Sequence, residues 1–157
     1  MQVYKSEDKS GKSCMSSAVW YDDDTIIVGS NDGQMQVFDL RSGKVAQVLS
    51  DGSGSSESGS GAAVYSMSHS QDLLHPHKFY AGYADCRIRT FDMKMAACSH
   101  NVQVHTDAVT ATSLNVDSNV LISASHDSRV RVWDLDGFTC VQDIEPQYTH
   151  HSKFDEV

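Results

Sequence analysis

Three stretches of the chain set an apolar residue between two polar ones, a period of two. They are Gln34-Met35-Gln36, Arg87-Ile88-Arg89 and Arg129-Val130-Arg131. That period predicts β-strands with distinct faces. Two residues further on, each meets an aromatic followed by Asp and then Leu or Met: Phe38-Asp39-Leu40, Phe91-Asp92-Met93 and Trp133-Asp134-Leu135. Six residues before each aromatic stands another Asp, namely Asp32, Asp85 and Asp127. Strand-like runs at 25–28, 78–81 and 119–122 precede these, rich in β-branched and aromatic residues. Each leading Asp is therefore predicted in a hairpin turn, where a carboxylate accepts from turn N–H groups. Earlier apolar runs (17–21, 63–67, 108–116) and later ones (45–49, 97–102, 139–144) bring each repeat to four strands. Residues 1–4 have the pattern of an outer strand from a preceding unit.

The leading Asp residues are 53 and 42 positions apart. The second spacing matches the WD repeat, in which four strands make one propeller blade. The predicted class is all-β: a partial WD-repeat β-propeller of about three four-stranded antiparallel blades. The blades fall at about 13–50, 62–103 and 105–145, in one incomplete propeller region over 1–157. The longer spacing comes from a Gly/Ser-rich stretch at 51–61. It is expected to be a flexible surface loop, with a phosphorylation platform as the functional alternative. Three blades and a stray strand cannot close a ring, and open edges invite pairing with other chains. The expectation is a truncated product, or a chain that folds with blades supplied elsewhere.

The third repeat holds His105, Ser123, Asp127 and Trp133. A His, a Ser and an Asp suggest a hydrolase, but triads are recognised by geometry rather than presence. Their spacing resembles the structural tetrad of WD repeats, which implies a hydrogen-bond chain through all four side chains that locks the blade. The other repeats depart from it. They carry Val28 and Ala81 at the Ser position, Ser10 and Ala63 at the His position, and Phe38 and Phe91 at the Trp position. Blades one and two are therefore expected to rely on apolar packing and to be less rigid.

Composition narrows the function. The net charge of −9 and pI near 5.1 argue against nucleic acid and for protein partners. No apolar signal core or membrane-length run is present, so no membrane insertion is expected and the cytoplasm is the default location. Cys14, Cys86, Cys98 and Cys140 form no CxxC pair and are expected reduced and buried. His75-Pro76-His77 and His150-His151 lack zinc spacing, and Asp22-Asp23-Asp24 lacks the ligand pattern of a calcium loop. No metal and no cofactor is expected, with those residues read as surface loops and a solvated turn. The Arg87/Arg89 and Arg129/Arg131 pairs could form a basic stripe, but their stems are expected to pack between blades. Loops at the blade ends are the better interaction candidates. Asp107, His126 and the aromatic Tyr83 are the candidate partner-binding residues.

One family resembles the C-terminal third closely. Ser125-His126-Asp127-Ser128-Arg129-Val130-Arg131-Val132-Trp133-Asp134-Leu135, then Phe138-Thr139-Cys140-Val141-Gln142-Asp143-Ile144, look like a blade of the striatins. So do His105-Thr106-Asp107-Ala108-Val109-Thr110 and the His150-His151-Ser152-Lys153-Phe154-Asp155-Glu156 segment. The resemblance implies a non-catalytic scaffold: a regulatory subunit of protein phosphatase 2A in STRIPAK assemblies. In that family the phosphatase-binding coiled coil and calmodulin segment precede the propeller, so their contacts are carried onto no residue here. A different WD-repeat adaptor, such as a ubiquitin-ligase substrate receptor, is the alternative.

Overall fold

The computed structural model describes residues 14–49, 61–69, 77–115, 117 and 119–146. Residues 1–4, Ser10, most of the Gly/Ser stretch, His75, Pro76 and the 150–156 segment lie outside these. Every regular element among the described residues is a strand. Blade one contains β1 (Met15–Trp20), β2 (Thr25–Ser30), β3 (Met35–Asp39) and β4 (Lys44–Leu49). Blade two contains β5 (Val64–His69), β6 (Lys78–Tyr83), β7 (Arg87–Asp92) and β8 (Ala97–Gln103). Blade three contains β9 (Val109–Asn115), β10 (Val120–Ser125), β11 (Val130–Asp134) and β12 (Thr139–Ile144). Each blade is a four-stranded antiparallel meander in chain order.

Turn chemistry repeats from blade to blade. Ser30 N–H donates to Gln34 O at 3.0 Å and Ser125 N–H to Arg129 O at 3.2 Å, closing the second hairpin around Asp32 and Asp127. The residue after each leading Asp is left-handed: Gly33 (φ 84°), Cys86 (φ 68°) and Ser128 (φ 65°). Only the first blade uses the residue that adopts this region without steric cost. At the strand-three end, Asp39 Oδ1 accepts from Arg41 N–H and Asp92 Oδ1 from Lys94 N–H, both at 2.8 Å. These carboxylates start the third hairpin from within the turn. The Asp22-Asp23-Asp24 run is the first turn of blade one. Its Asp24 N–H donates to Asp22 Oδ1 at 2.9 Å, and Arg41 pairs with Asp24.

The core sits between blades rather than inside them. One cluster joins Ile27, Met35 and Val37 of blade one to Val64, Phe79, Tyr83 and Phe91 of blade two. A second joins Tyr80 and Ile88 of blade two to Val109, Leu121 and Trp133 of blade three. Alternation within a strand therefore serves two seams: one face packs on the preceding blade and the other on the following one. The innermost strands β1, β5 and β9 neighbour one another. Ser16, in a bulge of β1, donates to Val64 O at 2.5 Å and staples blade one to blade two.

Both seams close over a glycine of the second strand. A Cβ at Gly29 would lie 2.6 Å from Val64 Cγ1 and 2.8 Å from Val64 Cβ. A Cβ at Gly82 would lie 2.7 Å from both Val109 Cγ1 and Ser66 Oγ. The valines are short and branched on strands, so the blades must part to admit a methyl. Gly29→Ala is expected to destabilise by about 1–3 kcal/mol. A shifted urea midpoint on the full chain checks it, and an unchanged midpoint would show that the seam yields freely.

Two sequence expectations are corrected by the fold. Cys14 and Cys140 are exposed and Cys86 and Cys98 partly so, although all four are free thiols. Cys14 directly precedes β1, Cys86 lies in a turn and Cys140 on outer strand β12, while Cys98 on β8 packs partly against the seam cluster of blades one and two. Ala63 does not stand at the His position of blade two. Its carbonyl accepts from Ala84 N–H at 2.9 Å, as Ala108 does from His126 N–H at 3.1 Å, so Ala63 corresponds to Ala108. The longer first hairpin of blade two shifts the count by three residues, which moves the His counterpart to Ser60, outside the described residues.

Candidate interaction face and the polar network behind it

In blade three, β10 and β11 bring Ser123 and Trp133 together, and the β10–β11 turn brings Asp127 to His105, which lies just before β9. Trp133 Nε1–H donates to Ser123 Oγ at 2.9 Å, Ser123 Oγ lies 2.8 Å from His105 Nε2, and His105 Nδ1 lies 2.8 Å from Asp127 Oδ2. An indole nitrogen can only donate. The proton order that satisfies every atom is then Trp133 to Ser123, Ser123 to His105, and His105 to Asp127. Ser123 is 0% exposed and His105 2%.

Asp127 is the anchor at the surface end. Thr106 N–H donates to its Oδ2 at 3.1 Å and Arg129 N–H to its Oδ1 at 3.0 Å. Burial raises the pKa of this carboxyl, but those N–H groups and the His105 ring outweigh it and hold the pKa down at about 2. A carboxyl whose folded pKa lies below its unfolded value stabilises the fold above the unfolded pKa of 3.8 and loses that contribution as pH falls to about 2. Acid titration should therefore remove at most about 2 kcal/mol between pH 4 and 2. In Asp127→Asn that portion of the acid limb should vanish, as read by stability measured against pH.

Blade two lacks this network and uses another. Arg89, 3% exposed, donates from Nη2 to Asp85 Oδ2 at 2.7 Å and from Nη1 to Oδ1 at 3.2 Å. Its guanidinium carbon sits 4.0 Å from the centroid of the Tyr83 ring. In blade one Ser30 Oγ bonds Asp32. The expectation that blades one and two depend on apolar packing alone is thus corrected, although Phe79 and Phe91 do stack at 5.1 Å. The hint was in the pattern. Arg89 stands four residues after Asp85, and those positions face each other where a hairpin returns.

The same strand position in blade three is Arg131, whose leading Asp is already engaged by His105. Arg131 instead bonds Asp143 Oδ2 at 3.0 Å and the Val104 carbonyl. Arg129 pairs with Asp143 and Glu145, both at 3.1 Å. Arg89, Arg129 and Arg131 are all in ion pairs, and Arg87 donates from Nη1 to Asn101 Oδ1 at 3.3 Å, so three of the four strand arginines are neutralised within the protein.

Of the three candidate partner-binding residues, two lie at the surface. Asp107 and His126 are exposed at the end of the blades that carries the Asp turns, beside Asp127. Ser125 Oγ donates to Asp107 O at 3.0 Å and accepts from Asp127 N–H at 3.1 Å, tying that loop to the network. Tyr83 is corrected: it is 0% exposed, in the seam cluster beneath Arg89. Its place at the end of β6 turned the ring into the blade, so it is no anchor for a partner. His77 bonds the Tyr21 hydroxyl through Nδ1 at 3.0 Å. Among the described residues no group of three or more His, Cys, Asp or Glu side chains is placed to hold a metal ion.

Blades stacked around their inner strands, each with a leading Asp in its second hairpin, define a WD-repeat β-propeller region. Residues 96–134 match the family model "WD domain, G-beta repeat". The structure of U3-55K superposes with a TM-score of 0.78 at 20% identity over 94% of this chain and 42% of that one. The RRP9 WD40 repeats superpose at 0.77, also with 20% identity, 94% and 42%. These two likenesses concern the fold alone.

More particularly, the chain is a striatin-like WD-repeat region. It is 30% identical to Striatin-3 of Homo sapiens over 157 residues, 98% of this chain and 18% of that protein. It is 27% identical to the striatin homolog of Dictyostelium discoideum over 134 residues, 83% of this chain and 15% of that protein. The chain thus spans under a fifth of the length of these relatives.

Proposed function

We propose that this region is a non-catalytic protein-interaction scaffold, acting in the cytoplasm through the propeller end that carries the Asp turns. The observation that carries the reading is Ser123. Its hydroxyl is fully buried, accepts from Trp133 and faces His105, so no substrate carbonyl can reach the serine that, among the described residues, a His–Asp pair could activate. The network spends its polar atoms on rigidity, and it holds the loop of Asp107 and the turn of His126 at the surface. Rigid strands presenting exposed loop residues suit recognition.

The partner assembly that the striatin likeness supports is a phosphatase 2A-containing STRIPAK complex, reached through the whole protein. Affinity purification of the endogenous protein, followed by mass spectrometry, tests it. Phosphatase 2A subunits are expected to co-purify, and co-purifying proteins should fall away in Asp107→Lys/His126→Glu at unchanged melting temperature. A partner set without those subunits would refute the assembly, and an unaltered set in the double variant would refute the face.

A further inference from the structure

We infer that the seam between blades two and three holds a second binding site, a pocket for the carboxylate side chain of an extended peptide segment. It lies at the end of the blades opposite the Asp turns, so it stands or falls separately from the Asp107/His126 face. The site is a cavity of about 310 Å³ between the β6–β8 face of blade two and the β11–β12 turn of blade three. Lys78, Tyr80, Thr90, His100, Asp136 and Phe138 line it.

Comparison between blades shows that the cavity is built. Tyr80 and Thr90 are cross-strand partners on the face toward the following blade. The same pair is Ile27 and Val37 in blade one, and Ile122 and Val132 in blade three. Two hydroxyls thus replace two aliphatic side chains at one seam only. Thr90 is 3% exposed, and its Oγ1 is buried with no hydrogen-bond partner. A buried hydroxyl left unpaired destabilises a fold, and this one borders the cavity, where a ligand can pair it. Burial also pushes the Tyr80 phenol up to about 12, so it remains a donor at neutral pH.

The turn over the cavity breaks a second rule. Its left-handed position is Gly43 in blade one (φ 67°), Ala96 in blade two (φ 55°) and Phe138 in blade three (φ 48°). A bulky residue there is strained, and such strain concentrates at functional sites. Phe138 stacks on Trp133 at a centroid distance of 5.8 Å and on His100 at 6.4 Å, forming an apolar wall over the polar floor.

The donor balance selects the ligand. Lys78 contributes an ammonium, and Tyr80 and Thr90 contribute hydroxyls. The carboxylate of Asp136 already accepts from Asn119 Nδ2 at 2.7 Å. Asp136 is exposed at the rim, so the inner lining presents one cation and two hydroxyls to a ligand, which suits a carboxylate on a short apolar stem. The volume is at the lower end for ligand sites and fits one or two side chains.

The test is an NMR titration of the full chain with acetyl-Gly-Glu-Gly-amide and with its Gln counterpart. The Glu peptide is expected to give saturable shifts at Thr90, His100 and Gly137, and to bind at least about fivefold tighter than the Gln peptide, a charge-assisted preference. Lys78→Met should abolish that preference. Thr90→Val, nearly isosteric, should weaken the Glu peptide while leaving the melting temperature unchanged or raised. Equal binding of the two peptides, or no saturable shift, would overturn the proposal. So would a Thr90→Val variant that melts lower and binds normally, because the hydroxyl would then serve the fold alone.

Discussion

Asp85→Ala is expected to destabilise the chain by about 3–5 kcal/mol, because it strands the buried Arg89 guanidinium without its counter-charge. The pair is bidentate, at 2.7 and 3.2 Å, and Arg89 Nε is already buried without a partner. What remains after the substitution is the face of Tyr83, 4.0 Å away. A cation–π contact contributes about 0.5–2 kcal/mol and cannot make up the loss. Arg89→Met removes the charge together with its desolvation and should cost less. Asp85→Ala combined with Arg89→Met should be more stable than Asp85→Ala alone, since apolar side chains often replace a buried pair at little cost. Urea unfolding followed by tryptophan fluorescence reads all three, because Trp133 is 7% exposed while Trp20 is 59% exposed and changes little. If the double variant were the least stable, the pair would not be what holds blade two.

Ser123→Ala should lower stability by about 2–5 kcal/mol, since one oxygen serves two buried partners. Removing it leaves Trp133 Nε1–H and His105 Nε2 unsatisfied in a site that water does not reach. Trp133→Phe, which restores the residue type of the other two blades, leaves Ser123 paired with His105 and should cost less in hydrogen bonding. A serine-reactive fluorophosphonate probe should fail to label the native protein. A specific activity lost in Ser123→Ala at unchanged melting temperature would overturn the structural role proposed for this network.

Much of the architecture was legible because strands announce themselves locally. The alternation around Met35, Ile88 and Val130 and the spacing from each Asp to its aromatic located the second hairpin of every blade, since both depend on residues within one turn and its strands. Hairpin length was less legible. The loop between β5 and β6 is longer than its counterparts, and counting from Asp85 therefore put Ala63 where Ser60 belongs. Tyr83 illustrates a different failure. An aromatic two residues before a turn can face solvent or seam, and only the pairing of β6 with β5 and the approach of Arg89 decide which.

By itself the sequence determined the strand periodicity, the three repeats and the one blade in which His, Ser, Asp and Trp all occur. Those features follow from short-range chemistry: side-chain alternation, turn carboxylates and residue identity at fixed offsets. Only the tertiary structure decided how the seams are filled. Gly29 and Gly82 are small because Val64 and Val109 of the next blade press on them. Arg89 turns to Asp85 while Arg131 turns to Asp143, because the leading Asp of blade three is already held by His105. Tyr80 and Thr90 line a cavity because Phe138 of the following blade reaches over them. Each of these outcomes depends on residues tens of positions apart meeting between blades, and no local pattern encodes which partner arrives.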